Sequence, residues 1–220
     1  MFEAVIFDWD GTLADTREVI LASFHQALQE VLGIDVSDDF IERRIGVGAA
    51  GTFREILRDK GVAFDSEVVK RLLEVKIQVE VDRTPEVRLF DGARELLELL
   101  QGKVKLALAS MNNRAVINHM ITFLGVGRFF SVVLSGDEVT KSKPDPEIFQ
   151  QACSKLGSLP NCCAVIEDSI FGVKAAKAAK MGCVAVVTGA YTRRELERAK
   201  PDLVVESLIE KEVILKYILS

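Results

Sequence analysis

Short apolar runs rich in β-branched residues recur along this chain at 3–8, 104–109, 132–134, 163–166 and 184–187, with a weaker sixth at 203–205. They are near-continuous in apolar character, which fits strands buried on both faces better than strands with one wet face. Helical patterns lie between them. Residues 93–100 carry apolar pairs at helical spacing, and 112–124 opens on Asn112 as the expected N-cap and stops at Gly125. Residues 145–156 place Pro146 near the first helical position and Gly157 beyond the end, and 169–181 stops at Gly182. Strands alternating with helices predict an α/β fold: a Rossmann-like, doubly wound parallel sheet with helices on both faces.

One stretch breaks the alternation. From residue 16 to residue 85 only helical patterns occur: a run with Val19, Ile20, Phe24, Ala27, Leu28, Val31 and Leu32 on one stripe, then 38–44, 52–60 and 66–81. Asp15 and Glu18 have the spacing of a capping box for the first of these. A helical block placed after the first strand predicts an inserted domain at 16–85, with 1–15 and 86–220 forming the sheet domain.

Bulk properties exclude several function classes. A net charge of −5 without a dominant Lys/Arg cluster gives no electrostatic footprint for nucleic acid. No apolar run is long enough to span a bilayer, and Asp8 and Asp10 interrupt the first one, against a signal peptide. Cys153, Cys162, Cys163 and Cys183 lack zinc-type spacing and read as small apolar residues in a reducing compartment, so the expected location is cytoplasmic. His25 and His119 have no second ligand at metal spacing and read as structural or surface residues.

The chemistry gathers at strand ends, where ligands bind in open parallel sheets. Asp8-Trp9-Asp10-Gly11-Thr12 follows the first apolar run. Residues two apart on an extended segment share a side, so Asp8 and Asp10 repel unless a proton or a hard cation intervenes, while Trp9 points away toward the core. A turn with exposed acids has the same composition. Glu167-Asp168-Ser169 follows the 163–166 run, where an acid or Ser169 could equally cap the next helix. Ser110 follows the 104–109 run and Lys143 precedes Pro144 before a helix. Acids, a hydroxyl and a lysine delivered to one sheet edge suit phosphoryl transfer: a carboxylate nucleophile, a metal, and donors for charged oxygens.

Asp8-Trp-Asp10-Gly-Thr12, Ser110, Lys143-Pro144 and Glu167-Asp168-Ser169, in this order and strand context, resemble the four motifs of the haloacid dehalogenase superfamily. The likeness extends to the helical block, similar to the family's small cap, and to Lys200-Pro201-Asp202 with Ser207-Leu208 near the end. It implies a nucleophile at Asp8 that forms an aspartyl-phosphate, and a general acid/base at Asp10 whose backbone carbonyl also binds metal. It implies Mg²⁺ held by Asp8, Asp10 and Asp168, with Glu167 as a further ligand or a support behind them, and a phosphoryl group held by Ser110 and Lys143.

Within the family, an acid at Asp10 favours phosphorus over carbon–halogen chemistry. Phosphonate hydrolases use a cap lysine, and no cap lysine in this sequence stands out from solvated ones. Sugar phosphomutases carry an arginine where Ala49 stands, although Arg43, Arg44 and Arg54 are near. Gly46-Val-Gly48 is similar to phosphoglycolate phosphatases and implies a specificity loop at Gly46 and Gly48. Gly46, Gly48 and Gly51 also match a dinucleotide-binding spacing, but that fingerprint needs a preceding strand and 38–44 reads as helix. The expected activity is a magnesium-dependent phosphatase of a small phosphorylated metabolite, phosphoglycolate-like or a sugar phosphate, working as a monomer or homodimer without nucleic-acid or membrane partners. The alternatives are a sugar phosphomutase of the beta-phosphoglucomutase type and a catalytically silent binding module.

Overall fold

The computed structural model describes residues 1–220. Six strands form one parallel sheet: β1 (Ala4–Phe7), β4 (Lys105–Ala109), β5 (Val132–Leu134), β6 (Cys163–Glu167), β7 (Gly182–Val186) and β8 (Leu203–Val205), in the order β5-β4-β1-β6-β7-β8. β2 (Ala14–Asp15) and β3 (Arg88–Leu89) make a separate antiparallel pair. The strands match the expected runs to within two residues. Their alternate residues feed two cores, with Val5 and Phe7 on one face and Ala4 and Ile6 on the other. Helices α5 (Ala93–Leu100), α6 (Arg114–Phe123) and α10 (Lys211–Leu219) pack on the first face. Helices α7 (Glu147–Lys155), α8 (Ile170–Ala178) and α9 (Arg193–Arg198) pack on the second, as a doubly wound sheet requires.

β1 sits between β4 and β6, so the strand order reverses around it. Phe7 pairs with Leu108 on one side and Ile166 on the other, which brings the residues following these three strands to one edge. That edge is the crevice where open α/β sheets bind ligands.

Between β2 and β3 lie α1 (Arg17–Leu32), α2 (Asp38–Glu42), α3 (Ala49–Asp59) and α4 (Ser66–Asp82). They bury a core of their own around Phe24, Leu28, Phe53, Leu57 and Leu72. Ile77 and Val81 on α4 pack instead against the first core of the sheet domain. No helix is long and apolar enough to cross a membrane.

Two local expectations are corrected. The N-cap of α1 is Thr16, not Asp15, which belongs to β2; no capping box forms there, because pairing with Arg88 holds Asp15 extended. The cap of α6 is Asn113, whose side chain accepts from Ala115 N, while Asn112 is drawn toward Glu80. Pro146 is the N-cap of α7, next to its first helical residue, as the sequence places it.

Candidate active site

The turn after β1 is tight. Trp9 O accepts from the backbone of Thr12, Leu13 and Ala14, and Trp9 itself is buried in the core with its indole N–H on Met120 Sδ, as strand alternation predicts. Gly11 has φ +83°, and a Cβ there would lie 2.4 Å from Asp168 Oδ2. Only glycine satisfies both demands, a left-handed backbone and contact with a carboxylate.

Asp8, Asp10, Ser110, Lys143, Glu167 and Asp168 are all at most 5% exposed. Lys143 Nζ donates to Asp8 Oδ1 at 2.5 Å and to Glu167 Oε1 at 2.6 Å. The other Glu167 oxygen accepts from Ser169 N at 2.8 Å and Ser169 Oγ at 2.9 Å, and Ser169 Oγ accepts from Gly172 N, capping α8. The capping expected of Ser169 and the acidic site therefore coexist. Asp168 Oδ1 accepts from Thr12 Oγ1 at 3.1 Å.

Asp10 faces a different direction. Its Oδ1 accepts from Thr16 Oγ1 at 2.9 Å and its Oδ2 from Ser110 Oγ at 3.1 Å, while Ser110 Oγ accepts from Asn112 N at 3.0 Å. Its carboxylate thus stands apart from the cluster of Asp8, Glu167 and Asp168, whose oxygens lie within 4.8 Å of one another. The two acids of the first strand end are held in separate environments.

Electrostatics follow from burial. Desolvation pushes the Asp8 carboxyl up to about 8, with Lys143 opposing the rise and Glu167 and Asp10 adding to it. Desolvation also raises Asp10, against its bonds to Thr16 and Ser110 and the charge of Lys76. Asp168 is raised by burial, then by Glu167 and Asp8. Burial by itself would depress the Lys143 ammonium, but Asp8 and Glu167 together outweigh it and hold the group above its usual range. Three clustered acids beside one lysine must hold protons or take up a cation. Oxygen-only donors suit a hard divalent ion such as Mg²⁺, so the chemistry of Asp8, Glu167 and Asp168 fits that metal.

The loop carrying Gly46 and Gly48 reaches down onto this edge. A Cβ on Gly46 would lie 3.8 Å from Ser169 Oγ, and one on Gly48 would lie 3.0 Å from Ser142 Oγ, beside Lys143. The loop follows α2 and not a strand, so the dinucleotide fingerprint lacks its context.

Several residues went unnoticed in the sequence. Thr16 had no role there, and Thr12 appeared only as part of the first motif. Lys76 and Glu80 on α4 are 3% and 0% exposed, which corrects the expectation that no lysine of the helical block differs from solvated ones. Their spacing, four residues apart, is that of any surface ion pair, and the sequence holds no signal that separates the two cases. The histidines behave as expected: His25 meets Asp38 at 2.6 Å on an exposed face of the helical block.

The pattern described as "Haloacid dehalogenase-like hydrolase" matches residues 5–186, from β1 through β7. The chain belongs to that family. A phosphorylated carbohydrates phosphatase of Thermotoga maritima is 33% identical, over 80% of this chain and 81% of that protein. A solved hydrolase from Pseudomonas syringae superposes with a TM-score of 0.90 at 29% identity, covering 99% of this chain and 100% of the other. A solved beta-phosphoglucomutase from Clostridium difficile superposes with a TM-score of 0.86 at 28% identity over the full length of both. The family is one of enzymes, and both phosphatases and mutases are among the chain's relatives.

Proposed function

We propose that this enzyme is a phosphoric monoester hydrolase, a magnesium-dependent phosphatase that acts on a small phosphorylated metabolite through an aspartyl-phosphate formed on Asp8. The observation that carries this reading is the division of labour at the first strand end. Asp8 lies against Lys143 at 2.5 Å among three clustered acids, while Asp10 is held apart by Thr16 and Ser110. A nucleophile must be ionised and an acid must carry a proton. Lys143 opposes the burial that raises Asp8 to about 8, and its ionisation would be complete with a bound cation, while Asp10 sits among neutral donors.

In this scheme Asp8 attacks phosphorus. Asp10 gives its proton to the leaving oxygen and later takes one from the water that releases phosphate. Ser110 and Lys143 hold the phosphoryl oxygens, and Lys143 also orients Asp8 and opposes the rise that burial imposes on its carboxyl. Asp8 and Asp168 with the Asp10 backbone carbonyl would hold Mg²⁺, and Glu167, both of whose oxygens already have protein donors, supports Lys143 and Ser169. When bound, the ion supplies charge stabilisation to the transferring oxygens.

Residues 16–85 act as a cap over a core formed by 1–15 and 86–220, with the Gly46–Gly48 loop closing on the site. Relatives that act on phosphorylated carbohydrates support a sugar phosphate as one substrate class, and the Gly46 and Gly48 loop supports a phosphoglycolate-like one. The free cysteines suit a cytoplasmic setting.

A second reading, a sugar phosphomutase, is favoured by the likeness to beta-phosphoglucomutase. Against it, Ala49 offers no charge for a second phosphate, and Arg44 is already occupied by Glu55 at 2.6 Å.

The test is hydrolysis of an aryl phosphate with and without magnesium by wild type, Asp8→Asn and Asp10→Asn. Magnesium-dependent turnover lost in both variants is expected. Turnover that survives Asp8→Asn removes the covalent scheme, and phosphate moved between sugar carbons without release favours the mutase.

A further inference from the structure

We infer that the leaving group accepted at this site is uncharged and hydroxyl-bearing, and that Glu80 enforces this choice by cancelling the charge of Lys76. The inference rests on the phosphatase reading and narrows its substrate class.

A cavity of about 30 Å³ opens beside Asp10, with Lys76, Arg44, Thr52 and Asn112 in its wall. Lys76 and Asn112 also line a larger cleft of about 370 Å³ farther out between the helical block and the sheet domain. A phosphoryl group at Asp8 puts its leaving oxygen at Asp10, so the remainder of the leaving group meets this wall.

An unpaired lysine there would select a second anion. Lys76 is not unpaired: its Nζ lies 2.6 Å from Glu80 Oε2, with both side chains at most 4% exposed. That oxygen has no hydrogen bond, so the contact is charge against charge without hydrogen-bond direction. Asn112 Nδ2 approaches the other oxygen, Glu80 Oε1, at 3.5 Å, tying α4 to the segment that carries Ser110. The second cation of the wall, Arg44, holds Glu55 at 2.6 Å and stacks on the Phe40 ring. Arg43 nearby holds Glu195 at 3.0 Å. Arg54 has no ion partner, but it lines only the outer cleft and is exposed.

A carboxylate or second phosphate entering the inner cavity would therefore lose its water beside Asp10 and a lysine whose charge Glu80 already offsets, with no free positive charge in return. A hydroxyl avoids that cost, since it can accept from the ammonium and donate to a neighbouring oxygen. Such selection works by penalising the wrong ligand as much as by rewarding the right one.

Two substrates of equal carbon count isolate the effect: 2-hydroxyethyl phosphate and phosphoglycolate, which differ in a hydroxymethyl against a carboxylate. Wild type is expected to favour the hydroxyl compound by about tenfold or more in kcat/KM. Glu80→Gln keeps the shape and frees the lysine charge, and is expected to shift the ratio about tenfold toward phosphoglycolate. A wild-type preference for phosphoglycolate overturns the inference, as does an unchanged ratio in a Glu80→Gln protein whose circular dichroism shows it folded. If Glu80→Gln does not fold, the wild-type ratio decides. Failure of the phosphatase reading is separate, showing as no turnover of any phosphomonoester. In that event the dissociation constants of the two compounds for Asp8→Asn protein read the same preference, and tighter phosphoglycolate binding overturns it.

Discussion

Thr16 donates its hydroxyl to Asp10 Oδ1 at 2.9 Å, although Thr16 is also the first residue of the turn into α1 and makes no capping bond with its side chain. The contact joins the acid/base proposed for the core to the entrance of the helical block. Thr16→Ala therefore removes a bond to Asp10 without removing a helix cap. We expect kcat to fall about tenfold to a hundredfold, as a fraction of what a positioned acid contributes. Because this bond lowers the Asp10 pKa against the rise caused by burial, its loss raises that pKa further, and the basic limb of the kcat/KM profile moves to higher pH. A pH profile of the variant checks both, and a limb that stays in place denies Asp10 the role of acid.

Lys143 is the sole cation touching Asp8 and Glu167, all three being buried. Lys143→Met leaves two buried carboxylates uncompensated, and removing one partner of such a pair costs about 3–5 kcal/mol. Urea denaturation should show that loss, with magnesium restoring part of it because the ion brings positive charge to the same oxygens.

Gly189 lies against Asp168: a Cβ there would sit 1.7 Å from Asp168 Oδ2. No side chain fits unless that carboxylate moves. Gly189→Ala should weaken magnesium activation about tenfold to a hundredfold, the scale seen when a ligand's support is disturbed. Titration of activity or of intrinsic fluorescence with magnesium checks it. Unchanged metal dependence would exclude Asp168 as a ligand.

In metal-free protein, burial raises the Asp8 carboxyl from 3.8 to about 8 and raises Asp10, Asp168 and Glu80 as well. The folded state then holds protons that the unfolded chain has released, so these groups favour folding at low pH and the benefit fades as pH rises. The window runs from the unfolded carboxylate value up to about 8 for Asp8. Thermal melts without magnesium should give a falling Tm across that window. Saturating magnesium should flatten the slope, since the ion replaces protons at the same oxygens. A Tm that rises with pH in metal-free protein contradicts the assignment.

The parts of the fold legible in the sequence were those with a short-range cause. Strands of uninterrupted apolar residues announce a sheet covered on both faces, and the acid or hydroxyl that follows three of these runs is a local fact. Asp8, Ser110 and Glu167 could be named because each abuts such a run. The helix caps were less legible. Asp15 and Asn112 are as good capping residues as Thr16 and Asn113, and long-range partners, Arg88 for the first and Glu80 for the second, decided between them.

By itself the sequence determined the layered α/β architecture, the helical block after the first strand, and the set of groups gathered at one sheet edge. Those follow from periodicity and from the rule that strand ends collect ligands. Only the tertiary structure decided that Asp10 turns away from the three-acid cluster toward Thr16 and Ser110, and that Lys76 and Glu80 are buried over the site. A Lys and a Glu four residues apart on a helix look alike whether water or another domain covers them. What covers them depends on how α4 packs against the sheet domain, and that is set by side chains far away along the chain.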